Sequence, residues 1–167
     1  MQIRLYGRLK ESITDGPGIR YAVFTQGCPH QCPSCHNPDS HDFTAGKLVD
    51  TEELLTDILA NPLLDGLTLS GGEPFMQPEE CAWLAAGARR AGLNVIVFSG
   101  YTWEELLENA ATRRGWTNLL QETDILIDGR YEKAKRSLNL RFRGSSNQRA
   151  VDVQESLRQK QVILYPL

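Results

Sequence analysis

The sequence lacks the features that would place the chain in a membrane or divide it into several domains. Of its 167 residues, 41% are hydrophobic and 23% are charged, and no apolar run approaches the roughly 20 residues that cross a bilayer. There is no internal repeat, low-complexity stretch or linker. The N-terminus, MQIRLYGRLKES, offers no secretory leader. We therefore expect one domain, residues 1–167, in the cytoplasm.

Cysteine is also scarce, and its distribution is uneven. Of the four cysteines, Cys28, Cys32 and Cys35 lie within eight residues, in GCPHQCPSCHN, and Cys81 lies far downstream. In reducing surroundings such a cluster indicates metal or redox chemistry rather than structural disulfides. Glycine, proline and polar residues surround the three cysteines, which disfavours a role as buried, inert thiols.

Three clustered cysteines leave several metal sites open. A zinc site would need His30, His36, His41 or Cys81 as fourth ligand, but structural zinc usually shows two paired ligand sets. A ferredoxin-type electron carrier needs four thiolates, and Cys81 lies in a predicted helix where core packing explains it equally well. A [4Fe–4S] cluster held at three corners accounts for the count directly, because its fourth iron can bind an exogenous amino and carboxylate group.

Hydrophobic runs alternate with amphipathic segments along the chain. We predict strands at 20–26, 66–70, 93–99 and 123–128, and helices near 51–60, from Pro78 to Gly92 and from Thr102 to Gly115. This alternation implies a parallel sheet whose ligand site lies beyond the carboxyl ends of the strands.

The four predicted strands lead into GCPHQCPSCHN, SGGEP, SGYT and DGRY, so these clusters are expected to meet at one edge of the sheet. About forty residues follow the fourth strand, too few to complete an eight-fold barrel. The expected fold class is α/β, with a mainly parallel sheet in an incomplete, open (β/α) barrel.

Charge is unevenly divided along the chain. Residues 113–167 hold eleven Lys and Arg against six Asp and Glu, whereas residues 1–112 hold seven against fifteen. The segment of about 130–167 is therefore expected to be a basic extension of the same domain. A solvated surface and a protein-docking surface both fit it better than a nucleic-acid patch, because no recognition motif is present. We expect neither nucleic acid nor a membrane as a partner.

The sequence resembles a known enzyme family. Cys-x3-Cys-x2-Cys followed by histidine, with SGGEP one strand later, is similar to the signature of radical S-adenosylmethionine (SAM) enzymes. Four further blocks resemble, in order, the activating proteins of anaerobic ribonucleoside-triphosphate reductases: DGPGIR (15–20), SGYTWEEL (99–106), ILIDGRY (125–131) and RGSSNQR (143–149). DGRY and RGSSNQR favour this group over the pyruvate formate-lyase activases, which begin similarly but are longer.

The resemblance implies a radical SAM domain with a [4Fe–4S] cluster and bound SAM. The reduced cluster would pass one electron to SAM, and the resulting 5′-deoxyadenosyl radical would remove hydrogen from a glycine Cα of the reductase. The implied partners are the glycyl-radical subunit of an anaerobic ribonucleoside-triphosphate reductase and an electron donor such as flavodoxin. The alternatives left open are activation of another glycyl-radical enzyme, a small-molecule substrate and, last, a non-catalytic electron carrier.

The resemblance also implies roles for individual residues. Cys28, Cys32 and Cys35 would ligate the cluster, and Ser34 and His36 would face the adenine, although an incidental loop histidine fits position 36 as well. The full set expected to bind SAM is Ser34, His36, Ser70, Gly71, Gly72, Glu73, Ser99 and Asp128.

Strand-end residues would contact the remaining parts of SAM. Gly71 and Gly72 would let the backbone approach the methionine moiety, and Glu73 would accept from its ammonium. Ser99 and Asp128 would contact the ribose or carboxylate side, or else cap a helix or turn. For RGSSNQR, hydrogen bonding near the site and a plain surface loop are both open, and no residue in it stands out.

Overall fold

The computed structural model describes residues 1–167 and contains a single seven-stranded sheet. The strands are β1 Gln2–Ser12, β2 Arg20–Thr25, β3 Lys47–Asp50, β4 Gly66–Gly71, β5 Asn94–Phe98, β6 Ile125–Asp128 and β7 Arg149–Asp152. The helices are α1 Thr51–Leu59, α2 Pro78–Arg90, α3 Trp103–Ala110, α4 Trp116–Gln121 and α5 Val153–Gln159. Short 3₁₀ turns occur at Pro38–Ser40, Pro74–Met76 and Lys133–Lys135.

The sheet is parallel in its centre and antiparallel at both sides. Its order is β3-β1-β2-β4-β5-β6-β7, and β2, β4, β5 and β6 pair in parallel. β1 and β3 on one side and β7 on the other pair antiparallel to their neighbours. The α/β class and the four predicted strands are confirmed, and the sheet ends in two edges, β3 and β7, that do not pair with each other.

All five helices pack on one face of the sheet. Alternate strand residues, such as Leu67 and Leu69 of β4, enter a continuous core with buried side chains from α1 to α5. The opposite face has only a small apolar cluster of Ile96, Ile125, Ile127 and Ala150. Because few side chains cover this face, there is space for a ligand site where it meets the carboxyl ends of the parallel strands.

Two of the three predicted helices, α1 and α3, begin at side-chain caps, whereas α2 begins at Pro78 without one. Asp50 accepts from the backbone amides of Glu52 and Glu53 at 2.8 and 3.2 Å. Thr102 and Glu105 bond each other's backbone amides at 3.2 and 2.9 Å, a complete capping box. Side-chain caps satisfy amides that have no partner within the helix.

The predicted helix from Thr102 to Gly115 is wrong at its C-terminal end. α3 stops at Ala110, and Gly115 precedes the separate helix α4. Gly115 has φ of +85°, a left-handed conformation that interrupts a helix and that glycine adopts readily.

Several elements lie outside the sequence prediction. β1, β3, β7, α4 and α5 were not expected, and two of them, β7 and α5, occupy the basic C-terminal segment. Val151 of β7 and Val153 of α5 are both buried in the main core. None of the helices combines the length and apolar character needed to cross a bilayer.

Candidate active site

The loops that follow the four parallel strands meet at one edge of the sheet, as predicted. They enclose a cavity of about 120 Å³ whose wall includes all three clustered cysteines. A second cavity of about 390 Å³ adjoins it. Both cavities are lined by Cys35, Ser70, Phe98, Tyr131 and Gln148.

The cysteine loop is folded back on the segment that follows it. The backbone amide of Gly27 donates to the carbonyl of Ser40 at 2.7 Å, and that of Cys28 donates to His41 at 3.2 Å. Within the loop, Gln31 and Ser34 adopt positive φ values of 49° and 61°. These turns let a short loop present three thiols to one cavity.

Backbone amides lie beside the cysteine sulfurs. Burial raises the pKa of Cys28 to about 11, against the lowering effect of the His30 amide. Burial likewise raises the pKa of Cys32, and the Tyr131 amide opposes it. The amide of Asn37 donates to the Cys35 sulfur at 3.5 Å. Iron binding at Cys28 must therefore displace a proton at neutral pH.

The three thiols line a cavity and do not converge on one point. No group of three or more His, Cys, Asp or Glu side chains is arranged to hold a single metal ion. A cubane cluster makes a different demand, because each thiolate binds a different iron. The donor set and its placement around a cavity therefore fit a three-thiolate [4Fe–4S] cluster better than a mononuclear zinc site.

Cys81 is separated from this cavity. It lies on α2, is 0% exposed and packs in the main core. Burial raises the pKa of its thiol. The fourth corner of a cluster in the cavity would therefore have no cysteine from this chain.

Glu73 is the hydrogen-bonding centre of the strand ends. Its carboxylate is 0% exposed and accepts from the amides of Phe75 and Gly100 at 3.1 and 2.8 Å and from the Ser99 hydroxyl at 3.0 Å. The Nε2 atom of His30 lies 2.8 Å from the same carboxylate. These partners tie Glu73 to three loops, and its predicted contact with the SAM ammonium stays a prediction.

Two glycines allow the loops to pack this closely. A Cβ on Gly72 would lie under 3.0 Å from the carbonyl of Gly27, and a Cβ on Gly100 would lie equally close to the His30 ring. Gly71 and Gly72 both line the smaller cavity. Because Gly72 has no side chain, the cysteine loop can pack directly against it. The predicted role of Gly72 in binding SAM did not include this contact.

The two candidate residues at the ends of β5 and β6 differ in position. Ser99 lines the smaller cavity, and its hydroxyl also accepts from the Tyr101 amide at 3.1 Å. Asp128 is 1% exposed and lies outside the cavity wall. It accepts from the Trp103 amide at 2.8 Å and from the Arg149 guanidinium at 2.5 Å, so it caps α3 as the alternative interpretation had it.

The remaining candidates lie toward the outside. Ser70 lines both cavities. His36 is exposed, lines the wider cavity and stands near Tyr131, with ring centroids 5.2 Å apart. Ser34 is exposed and lines neither cavity.

Sequence reasoning missed several cavity-lining residues. Phe98, Arg130, Tyr131 and Gln148 all contribute to the smaller cavity. Arg130, Tyr131 and Gln148 belong to the DGRY and RGSSNQR blocks, so these two motifs were the available signal. The sequence offered no signal for Phe98, because half-buried aromatic residues are common in strands.

The fold and the site define an iron–sulfur protein, and the comparisons agree. A family model described as a 4Fe–4S single cluster domain matches residues 14–151. The chain is also similar to relatives named anaerobic ribonucleoside-triphosphate reductase-activating protein. The relative from Pasteurella multocida (strain Pm70) is 34% identical over 81% of this chain and 89% of its own length. That from Enterobacteria phage T4 is 33% identical, over 81% and 85%.

A further relative is a pyruvate formate-lyase-activating enzyme from Clostridium pasteurianum. It is 36% identical over 64% of this chain, but the match covers 48% of its own length. The relatives named as reductase-activating proteins, in contrast, are more than 30% identical to this chain along most of both sequences. The chain belongs to the family of anaerobic ribonucleoside-triphosphate reductase-activating proteins.

Proposed function

We propose that this protein is a radical SAM activase that installs a glycyl radical on an anaerobic ribonucleoside-triphosphate reductase. The observation that carries the proposal is the cavity wall with three cysteines and no fourth, in a chain of this family. A cluster bound there keeps one iron open to an exogenous ligand. A non-catalytic carrier has no support, because Cys81 is sealed in the core.

The cofactor supplies the difficult chemistry, and the chain supplies ligation and orientation. A reduced cluster bound there would supply the single electron for reductive cleavage of SAM, and this chemistry would allow a hydrogen atom to be removed from a glycine Cα of the partner. Cys28, Cys32 and Cys35 hold the cluster. Ser70, Gly71, Gly72 and Ser99 form the wall against which SAM binds, with His36 at the rim beside the adenine.

The second cavity gives a partner loop a route to this wall. It adjoins the first and lies against Phe24 and Phe98, on the sheet face that has no helices. An open (β/α) barrel with one accessible side is the architecture that such access requires, and the unpaired edges β3 and β7 are consistent with it. We assign the whole chain to one radical SAM domain on this basis.

Part of the unpaired positive charge of the C-terminal segment lies at that route. Arg130, Lys135, Arg149 and Arg158 form ion pairs with neighbouring carboxylates. Among the other basic residues, Lys133, Arg136, Arg141 and Arg143 take part in no ion pair in the structure. Arg143 lines the wider cavity.

This group of cations supports docking of an acidic surface of the reductase glycyl-radical subunit. A flavodoxin-type electron donor and a cytoplasmic location complete the proposal.

The decisive experiment mixes the reduced, cluster-loaded protein anaerobically with SAM and the reductase. Electron paramagnetic resonance should then show a glycyl radical on the reductase, at a yield that depends on SAM. A parallel reaction with pyruvate formate-lyase should give little radical. SAM cleavage without a radical on the reductase would contradict the assignment of the partner, and radical on pyruvate formate-lyase alone would favour the second group of relatives.

A further inference from the structure

Tyr101 packs directly against the cysteine loop. Its ring meets the ring of His30 edge-on, with the two centroids 4.4 Å apart. His30 lies between Cys28 and Cys32 in the sequence, and it lines the smaller cavity together with the three clustered thiols. Tyr101 is therefore in contact with the loop that would hold the cluster.

Further contacts lead from Tyr101 to two exposed arginines. The Arg130 guanidinium lies 6.0 Å from the centroid of the Tyr101 ring, at the limit of a cation–π contact. The Trp116 ring lies 5.0 Å from the Tyr101 ring, and the Arg113 guanidinium lies 4.9 Å from the centroid of Trp116. Tyr101 is half-buried, whereas Arg113 and Arg130 are exposed. We call Tyr101, Arg113 and Arg130 the Tyr101 patch.

The patch has the composition of a small protein interface. Tyrosine and arginine are over-represented among the residues that anchor protein complexes. Arg130 pairs with Glu105 at 3.1 Å, but Arg113 forms no ion pair in the structure and contacts only the Trp116 ring with its charge. A free arginine beside a half-buried tyrosine fits a partner that carries negative charge. Complexes between electron-transfer proteins use small, weak interfaces of this size.

The patch lies apart from the route proposed for the reductase loop. Tyr101 packs against the main core, which lies on the helix side of the sheet. None of the three patch residues lines the wider cavity, which lies against Phe24 and Phe98 on the other face. A protein bound at the patch therefore leaves the wider cavity open to the reductase.

We propose that the Tyr101 patch is the docking surface for the electron donor, an acidic protein that carries one electron. One electron leaves the reduced cofactor of the carrier and enters the cluster, so the carrier is oxidised, the cluster is reduced, and no proton or covalent bond is transferred. Docking here places the carrier against the residue that touches the cysteine loop. The inference rests on the proposed function in that the cluster must be reduced before SAM is cleaved.

The test uses the cluster-loaded protein with flavodoxin as the acidic carrier. Tyr101→Leu removes the ring but keeps an apolar side chain, and Arg113→Glu reverses the free charge. Tyr101→Phe is the control for the ring, because the Tyr101 hydroxyl makes no hydrogen bond in the structure. Arg90→Glu is the control for charge, because Arg90 is exposed on α2 and also forms no ion pair.

Four quantities are measured for each variant. They are the iron content, the dissociation constant for oxidised flavodoxin, and the rates of cluster reduction by reduced flavodoxin and by dithionite. We expect Tyr101→Leu and Arg113→Glu to retain four irons but to bind flavodoxin about tenfold more weakly, the scale of an interface anchor. Reduction by flavodoxin at limiting concentration should slow by the same factor. Reduction by dithionite, which needs no docking, should keep the parent rate.

Both controls should match the parent, and the effect of Arg113→Glu should shrink at high salt. Parent-like binding of flavodoxin by either patch variant that retains its cluster would overturn the inference. Equal slowing with dithionite would also overturn it, since the defect would then lie in the cluster. If Tyr101→Leu loses its cluster, Arg113→Glu decides alone. A parent protein that flavodoxin reduces but that forms no radical on the reductase would instead refute the proposed function.

Discussion

At the residue scale, the four cysteines form two groups that differ in their surroundings and not in their side-chain chemistry. Three lie on a loop at the wall of one cavity, and Cys81 lies on a helix inside the core. A thiol at the wall of a cavity can lose its proton to iron, whereas a thiol enclosed by apolar side chains cannot approach a metal. Glu73 shows the same principle, since its four partners determine what its carboxylate can do.

Cysteine substitutions should separate ligands from core thiols. Cys28→Ala, Cys32→Ala and Cys35→Ala should each fail to retain a full cluster, because no other cysteine lines the cavity. Cys81→Ala should retain four irons and lose only about 1 kcal/mol of stability, as for a small core truncation. Anaerobic iron analysis with a denaturation curve checks both effects. A Cys81→Ala protein unable to hold a cluster would refute the ligand assignment.

The buried His30 and Glu73 pair should be energetically coupled. Their side chains are 5% and 0% exposed and lie 2.8 Å apart, so removal of either leaves a buried polar group without its partner. His30→Ala and Glu73→Gln should each destabilise the fold, and a double-mutant cycle should give a coupling of about 1–3 kcal/mol. Urea unfolding of the apoprotein measures it. Simple additivity of the two substitutions would contradict the pairing.

At the element scale, each parallel strand ends in a loop that the next loop holds in place. The cysteine loop after β2 touches SGGEP after β4 through Gly72, and SGYT after β5 through Gly100. The DGRY loop after β6 is held by the motif before β7. A side chain inserted at one of these contacts should therefore disturb the site rather than the strand that bears it.

Gly100 offers the sharpest test of this packing. Gly100→Ala would drive a Cβ into the His30 ring, and overpacking of this kind costs about 1–3 kcal/mol. We expect that loss of stability together with reduced iron retention. Gly7→Ala is the control, because a Cβ there meets nothing within 4 Å. Circular dichroism melts and iron counts report the two effects, and a Gly100→Ala protein that matched the control in both would disprove the contact's importance.

At the scale of the whole molecule, formal charge is a poor guide to the interaction surface. Much of the basic C-terminal segment is neutralised within the fold, since Arg149 alone contacts both Glu104 and Asp128. Of the remaining cations, Arg143 lines the wider cavity. An unpaired charge beside a cavity contributes more to the local field than its share of the net charge suggests.

Charge reversal in this group should weaken activation of the reductase. Arg136→Glu combined with Arg141→Glu should lower the glycyl-radical yield at limiting reductase about tenfold and reduce its dependence on salt, because steering of an acidic partner is screened by ions. SAM cleavage without reductase should stay unchanged. Arg158→Glu is the control, since that guanidinium already pairs with Glu155. Equal effects of the two changes would rule out a specific docking surface.

The sequence by itself determined the cysteine cluster, the four parallel strands and the edge where their loops meet. Ligand spacing, capping residues and hydrophobic periodicity are local properties, so they can be read without knowledge of the fold. The antiparallel strands β1, β3 and β7 were missed because they are short or rich in polar residues, so that pairing with neighbouring strands decides their structure. The break before α4 was missed because a glycine can end one helix or begin the next.

Only the tertiary structure decided what the polar residues around the cavity do. Glu73 and Asp128 follow strands in the same way as Ser99, yet their carboxylates are enclosed by groups distant in sequence, from His30 to Arg149. RGSSNQR had no evident role until its side chains were found on the carbonyls of the DGRY loop. A hydrogen bond between remote segments depends on how the chain brings them together, and no local pattern encodes that geometry.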